Sequence, residues 1–231
     1  MRINPDVLAN CALFEAIRPE DRGAMLGCLG AQALSVVKHQ FIFREGDPAD
    51  RVGIVLEGAV QLVREDYYGN RSILARIGPS GLFGEGLSCA GIPAFPVSAV
   101  AVEDSQVLLL DSRRITATCC NACSFHNQMI FNLLKVVARK NLMLTEKIEI
   151  TSKRTTREKL MAYLLAQAKQ HNSASFAIPY NRQALADYLE VDRSAMSAEL
   201  SKLRKDGVID YQKNHFHLRT QDGAYADDTQ A

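Results

Sequence analysis

The chain has 231 residues, 27 basic and 26 acidic side chains, 47% hydrophobic residues and 23% charged ones. A length and composition of this kind exclude a disordered chain and suit one large or two small domains, each able to bury a core. No membrane span is readable either: the charge-free stretch 86–102 is broken by Pro93 and Pro96, and 115–134 is diluted by Thr, Asn, Ser, His and Gln.

The start of the chain, Met1-Arg-Ile-Asn-Pro-Asp, has no apolar signal-peptide core. The sequence therefore predicts a cytoplasmic protein with no membrane partner. Six cysteines, Cys11, Cys28, Cys89, Cys119, Cys120 and Cys123, are then expected to be reduced. The near-zero net charge conceals an asymmetry. Residues 152–220 carry 12 basic and 7 acidic side chains, a net of +5, while residues 1–151 are close to neutral. A basic module of this size is a cue for a polyanionic partner, although a solvated basic face is the plain alternative.

In chain order, residues 5–30 read as helical and amphipathic, with Leu8, Leu13, Phe14, Met25, Leu26 and Leu29 inward. From about Ala33 the pattern changes to short β-like runs at 41–43, 52–56, 60–63, 72–75 and 107–110. Turn residues punctuate them, among them Gly46, Pro48, Gly58, Gly78 and Gly81. Many short strands at such spacing predict an antiparallel sandwich or barrel, with Gly69-Asn70 at a hairpin tip. A long helix follows. Ile130, Leu134, Val137, Asn141, Leu144 and Ile148 are spaced 4, 3, 4, 3, 4, the seam of a parallel two-stranded coiled coil with a lone Asn at an a position. An ordinary core helix would also show an apolar stripe.

The last module reads as a helix over 157–169, an extended piece at 175–179, and two short helices at 182–189 and 193–206 joined by the tight 190–192. A hairpin over 208–218 turns at Lys213-Asn214. Helix, short turn, helix, hairpin is the order of a winged helix-turn-helix. The expected fold is α+β, divided as 1–125, 126–151 and 152–231. In such a module the second short helix enters the major groove of double-stranded DNA. Asp192 is then an N-cap, and Arg193, Ser194 and Ser197 project from the first turns. Arg193 suits bidentate bonding to guanine. Arg182 and Gln183, opening the preceding helix, suit phosphate, and Lys202, Arg204 and Lys205 track backbone or solvent. Taken singly, each of these is also what a solvated helix surface presents.

The helix Arg182-Gln-x-Leu-Ala-x-Tyr-Leu189, the Arg193-Ser helix, the long seam, Gly46, Gly58 and Phe83-Gly84-Glu85 together resemble the CRP/FNR family of bacterial transcription regulators across essentially the whole chain. The resemblance implies an N-terminal double-stranded β-roll that senses a small molecule, a dimerisation helix and a winged helix on a near-palindromic operator, with RNA polymerase as a further partner. It also implies an effector set of Gly84, Glu85, Ser98 and Ala99, with Asn141 and Thr145 from the long helix. In the cyclic-nucleotide members an arginine precedes the Ser-Ala pair and neutralises the cyclic phosphate. Here Val97 stands there, no basic residue lies between Arg76 and Arg113, and Leu144 replaces a usual threonine. Loss of such a partner costs on the order of 1.5–3 kcal/mol. These departures argue against cyclic AMP and leave an uncharged or apolar effector, or a vestigial pocket in a constitutive regulator; effector and cofactor stay unidentified.

A redox or metal signal is the alternative. Cys119, Cys123 and His126 share a face at i, i+4, i+7 if their segment is helical, with Cys120 beside them, a spacing that could hold zinc, an iron centre or heme. The family's iron–sulfur pattern needs a cluster of N-terminal cysteines, and only Cys11 and Cys28 lie there. Reduced structural thiols are the competing reading, and no metal site is assigned. No Ser-His-Asp order, paired-carboxylate motif or phosphate-binding Gly-x-x-x-x-Gly-Lys is present, so no enzyme is expected.

Overall fold

A computed structural model describes residues 5–116 and 124–219 and resolves them into two compact units, Met1–Leu142 and Met143–Ala231. The first opens with α1 (Pro5–Ala9), a 3-10 turn (Ala12–Phe14) and α2 (Pro19–Cys28). The stretch 5–30, read as helical, is thus divided into three short helical pieces. Ala16 sits at φ +60°, and Pro19, which has no amide to give a preceding turn, occupies the first turn of α2. Leu13 and Phe14 are fully buried at the break.

Eight strands follow: β1 (Gln32–Val36), β2 (Phe41–Phe43), β3 (Arg51–Glu57), β4 (Val60–Glu65), β5 (Arg71–Ile77), β6 (Leu82–Phe83), β7 (Ser98–Ala101) and β8 (Ser105–Asp111). Short α3 (Glu85–Ser88) interrupts them and α4 (Ser112–Thr116) ends them. They form two antiparallel four-stranded sheets, ordered β1-β8-β3-β6 and β2-β7-β4-β5. The alternation of side chains along a strand explains the layers. Val55, Val107 and Phe83 of the first sheet meet Phe43, Val60, Ile77 and Ala99 of the second in one core. From the opposite face of the first sheet, Val52, Ile54, Leu56, Leu108 and Leu110 join Leu13, Phe14, Met25 and the long helix in another. The first sheet is thus covered on both faces, which is why β3 is an almost unbroken apolar run. Gly53 stands opposite Phe83, where a Cβ would lie 2.0 Å from the ring.

Helix α5 (Ser124–Thr151) carries two stripes with heptad spacing. On one, Met129, Leu133 and Val136 are buried in the core of the first unit. Between them Asn132 donates from Nδ2 to the carbonyls of Leu13 (3.0 Å) and Glu15 (2.7 Å). On the other, Leu134, Val137, Leu144 and Ile148 are 37–65% exposed, so their own chain does not bury them. The last turns of α5 belong to the second unit, where Lys147 is buried with its ammonium 4.6 Å from the centre of the Tyr188 ring. Burial lowers the Lys147 pKa, against the pull of Glu190.

The second unit continues with α6 (Thr156–His171), opened by a capping box between Thr155 and Glu158, then β9 (Ser175–Ala177), α7 (Arg182–Leu189) and α8 (Arg193–Lys205). Strands β10 (Ile209–Gln212) and β11 (His215–Leu218) complete a three-stranded wing ordered β10-β11-β9. Leu160, Leu164, Leu185, Leu189, Met196, Leu200 and Leu203 form the buried helical face. The hairpin turns at Lys213, which takes φ +54°. The fold is α+β in the order the sequence implies. Among the described residues no helix is long and apolar enough to cross a membrane.

Candidate functional site

Two places in the chain gather the expected functional residues. The first is α8. Asp192 caps it by accepting from the Ala195 amide at 2.8 Å, and Glu190, at φ +55°, makes the tight turn from α7. Arg193, Ser194, Lys202 and Lys205 are exposed. Ser197 donates its hydroxyl to the Arg193 carbonyl at 2.8 Å, leaving that oxygen chiefly as an acceptor. Lys202 lies 3.6 Å from Glu199 Oε2, and Arg157 bridges Glu199 (3.1 Å) and Asp206 (3.0 Å), pinning α6 to α8. Gln183 donates to Asp187 at 2.7 Å, and Asn181 caps α7. Arg182 is less open than the sequence implied. Its guanidinium lies 4.7 Å from the Tyr211 ring and 5.1 Å from Phe216 on the wing, and burial lowers its pKa. Arg204 is held by Asp210 at 3.0 Å.

The second place is the corner between β6 and α3. Gly84, at φ +80°, caps α3, a left-handed conformation that a side chain resists. Its position faces aromatic rings: a Cβ there would stand 3.6 Å from both Phe43 and Phe95, which stack with centroids 3.9 Å apart. Ala99 pairs with Phe43, so Gly84 and Ala99 share one aromatic cluster. Ser98 accepts from the Glu45 amide at 2.9 Å. Glu85 is buried at 2% exposure, and its Oε1 accepts from Lys140 Nζ at 2.6 Å. The same ammonium donates to the Leu82 carbonyl at 2.6 Å. Glu85 Oε2 is buried and has no hydrogen-bond partner among the described residues.

Asn141 is exposed on α5, and Thr145, also exposed, lies on the part of α5 that belongs to the second unit. Lys140 was missed by sequence reasoning. The available signal was a lone lysine continuing the 4, 3, 4 spacing of Met129, Leu133 and Val136. Beside the corner, a cleft of about 360 Å³ is lined by Ser88, Cys89, Ile92, Pro93, Arg113 and Thr116 among others; neither Glu85 nor Ser98 lines it. Cys119, Cys120 and Cys123 lie outside the described residues. His126 is buried, and among the described residues neither ring nitrogen has a hydrogen-bond partner. Among the described residues no group of three or more His, Cys, Asp or Glu side chains is arranged to hold a metal.

Residues 33–120 match the family model of the cyclic nucleotide-binding domain, and residues 158–223 match that of the Crp-like helix-turn-helix domain. The chain belongs to the CRP/FNR family. It is 27% identical over 135 residues to the CRP-like cAMP-activated global transcriptional regulator of Mycobacterium tuberculosis. That match covers 58% of this chain and 57% of the relative, so the chain spans little more than half of that protein. The Cyclic AMP receptor protein of Thermus thermophilus is 27% identical over 197 residues, 85% of this chain and 87% of that one. The solved structure of FixK2 from Bradyrhizobium japonicum covers 83% of this chain and 93% of that one at a TM-score of 0.65 and 24% identity, a likeness of fold.

For a CRP/FNR protein the corner departs from what a cyclic nucleotide requires. An anionic phosphate in a partly buried site needs a charge-assisted donor. Val97, in the place of the family's arginine, is apolar and 6% exposed, and the Lys140 ammonium that reaches the corner is already committed to Glu85 and Leu82. The residues present do not fit the cyclic phosphate.

Proposed function

We propose that this CRP/FNR protein is a homodimeric DNA-binding transcription regulator of the cytoplasm. The observation that carries the reading is the capped α7–turn–α8 pair with an exposed basic and hydroxyl face on α8. Arg193 reads a base edge in the major groove, while Ser194 and Ser197 accept from bases or meet phosphates through water. Gln183, Lys202 and the exposed edge of Arg182 set the register on the sugar-phosphate backbone. The exposed stripe of α5 supports pairing of two copies, and a two-fold dimer would read a near-palindromic operator. RNA polymerase is the partner through which such a protein changes transcription. Gly84, Glu85, Ser98, Ala99, Asn141 and Thr145 mark the sensing region, and its chemistry disfavours an anionic effector.

Selection from a random double-stranded DNA pool, followed by footprinting and sedimentation of the complex, tests the reading. Enrichment of an inverted repeat protected by two chains is expected. Enrichment of no sequence would overturn it.

A second reading is favoured by the buried imidazole of His126, whose ring nitrogens have no hydrogen-bond partner among the described residues. There, Cys119, Cys123 and His126 would make the protein a metal- or redox-responsive regulator. Metal analysis and a visible spectrum of protein purified without oxygen decide it: stoichiometric metal that Cys123→Ser removes supports this reading, and metal-free, colourless protein ends it.

A further inference from the structure

The chain has five histidines, and two of them, His215 and His217, stand at alternate positions of β11. A strand turns every second side chain to the same face. Phe216 and Leu218 are buried, so His215 and His217 share the outer face of the wing, where both are exposed. Strand β11 is the middle one of three, and its register sets one residue of each neighbour beside each ring. Ser175 and Asp210 flank His217, and Ala177 and Gln212 flank His215. Ser175 Oγ and His217 Nδ1 are 2.7 Å apart. The Asp210 carboxylate is committed elsewhere, to Arg204 at 3.0 Å and Arg219 at 3.4 Å. Among the described residues the ring of His215 makes no hydrogen bond or ion pair, and that of His217 makes only the one to Ser175.

We propose that this face is a binding site for a divalent transition-metal ion, with His215 and His217 as ligands and Ser175 as the group that orients His217. Neutral imidazole is the common nitrogen ligand of such ions. The two rings are rooted roughly 6.5 Å apart along the strand, a span that two side chains converging on metal–nitrogen bonds of about 2.0–2.1 Å can close. A metal-binding histidine gives its other N–H to an oxygen, which fixes the tautomer and aims the ring. Ser175 stands at that place: with Nδ1–H donated to its Oγ, the lone pair of His217 is left on Nε2. Both ligands rise from one strand that is paired on both sides, so little ordering is needed to bring them to one ion. Two protein ligands leave the remaining positions to water, which makes the site open and exchangeable, unlike a four-ligand structural centre. It is built from the second unit alone and needs neither DNA nor effector.

Nickel(II), which is paramagnetic and binds imidazole nitrogen, is the probe. It is titrated into the full chain while the histidine side chains are observed by NMR, so that all five rings report in one sample. His215 and His217 are expected to broaden together, at about tenfold less nickel than exposed His39 and His171. Loss of either ligand, in His215→Ala or His217→Ala, should raise the nickel needed to broaden the remaining ring by about tenfold or more. Both side chains are exposed, so neither change disturbs folding. Ser175→Ala should weaken binding by about tenfold, and Ser175→Thr, which keeps the hydroxyl, should restore it to within about threefold. Two rings that broaden no earlier than His39 and His171 overturn the proposal. So do two rings that respond independently, each unaffected by the loss of the other, because they are then separate surface imidazoles. Unchanged nickel binding in Ser175→Ala overturns the role given to Ser175. Should His126 respond first, the titration is repeated in Cys119→Ser/Cys123→Ser and read the same way.

Discussion

On α8, Arg193 and Lys205 stand in solvent and form no ion pair among the described residues, whereas at the β6–α3 corner Glu85 is buried and meets Lys140 at 2.6 Å. Exposed charges cost the fold almost nothing and keep a field that reaches about a Debye length into solvent, where a polyanion can answer it. A buried charge has no such reach. It must be answered at contact distance, and once it is, the pair is a part of the architecture. One end of the chain has left its charge for a partner, and the other has already spent it.

If that contrast is right, disturbing the exposed end changes binding and leaves folding alone, while disturbing the closed end changes folding first. The largest effect is expected where two copies combine their exposed ends. Leu134→Glu with Ile148→Glu places four carboxylates in the α5 seam of a dimer. Sedimentation should report a monomer, and operator affinity measured by anisotropy should fall by about 100-fold or more, because the second half-site no longer binds as part of one unit. Unfolding in urea should shift by less than about 0.5 kcal/mol, since both side chains are exposed in the single chain. A dimer that survives the change would remove the seam from the account.

The closed end is tested by Val97→Arg. The side chain is 6% exposed, so the new guanidinium must be buried without a partner or must displace packed chain. The first unit should lose about 2–4 kcal/mol in denaturant unfolding, and calorimetry with cyclic AMP should show no heat of binding. Full stability together with cyclic AMP binding would mean that the corner is open after all, and the contrast between the two ends would collapse.

Arg193→Ala makes the matching change at the open end. Operator affinity should fall by about 1–3 kcal/mol, with relaxed preference at one base pair in each half-site. Stability should move by no more than about 0.5 kcal/mol. An unchanged operator preference would take base reading away from the first turn of α8.

The two ends also differ in how legible they are in the sequence. The winged-helix unit is written locally: Asp192 and Asn181 cap the helices that follow them, and the apolar face of α8 repeats at Met196, Leu200 and Leu203. Signals of that range survive in a single sequence. The outward seam of α5 was legible for the same reason. Its inward stripe was not, because a heptad pattern already explained the helix and a lysine within an apolar row reads as surface. The pairing of Lys140 with Glu85 joins residues 55 apart, and Asn132 reaches carbonyls 119 and 117 residues away. Contacts of that span are created by the fold and leave no spacing to read. In the sequence Arg182 reads as a fully open phosphate ligand because the rings that partly cover it, Tyr211 and Phe216, arrive on the wing only after the chain has turned back.

The smallest expected effect comes from a group that follows neither strategy. Cys11 is buried among Leu13, Phe14 and their neighbours, and burial pushes its thiol up to about 11, which hydrogen bonds from the Leu13 and Phe14 backbone only partly offset. Among those apolar neighbours the group stays neutral in the folded chain below about pH 11. At pH 8 an alkylating reagent should therefore label exposed Cys28 readily and reach Cys11 only through unfolding. The sign of the pH dependence follows. Between the ordinary thiol value of 9.0 and about 11 the folded state holds a proton that the unfolded state has lost, so stability is intact below that window and falls as pH rises through it. The slope from this one group is at most about 1.4 kcal/mol per pH unit, and Cys11→Ala should reduce the total slope in urea titrations at pH 8 and 10, leaving the share of Cys89, Tyr163 and Tyr188, which burial also pushes up. A slope unchanged by the substitution would take Cys11 out of the pH dependence. Cys11 and Glu85 meet burial in different ways: the thiol keeps its proton among apolar neighbours, whereas the Glu85 carboxyl has the Lys140 ammonium at 2.6 Å.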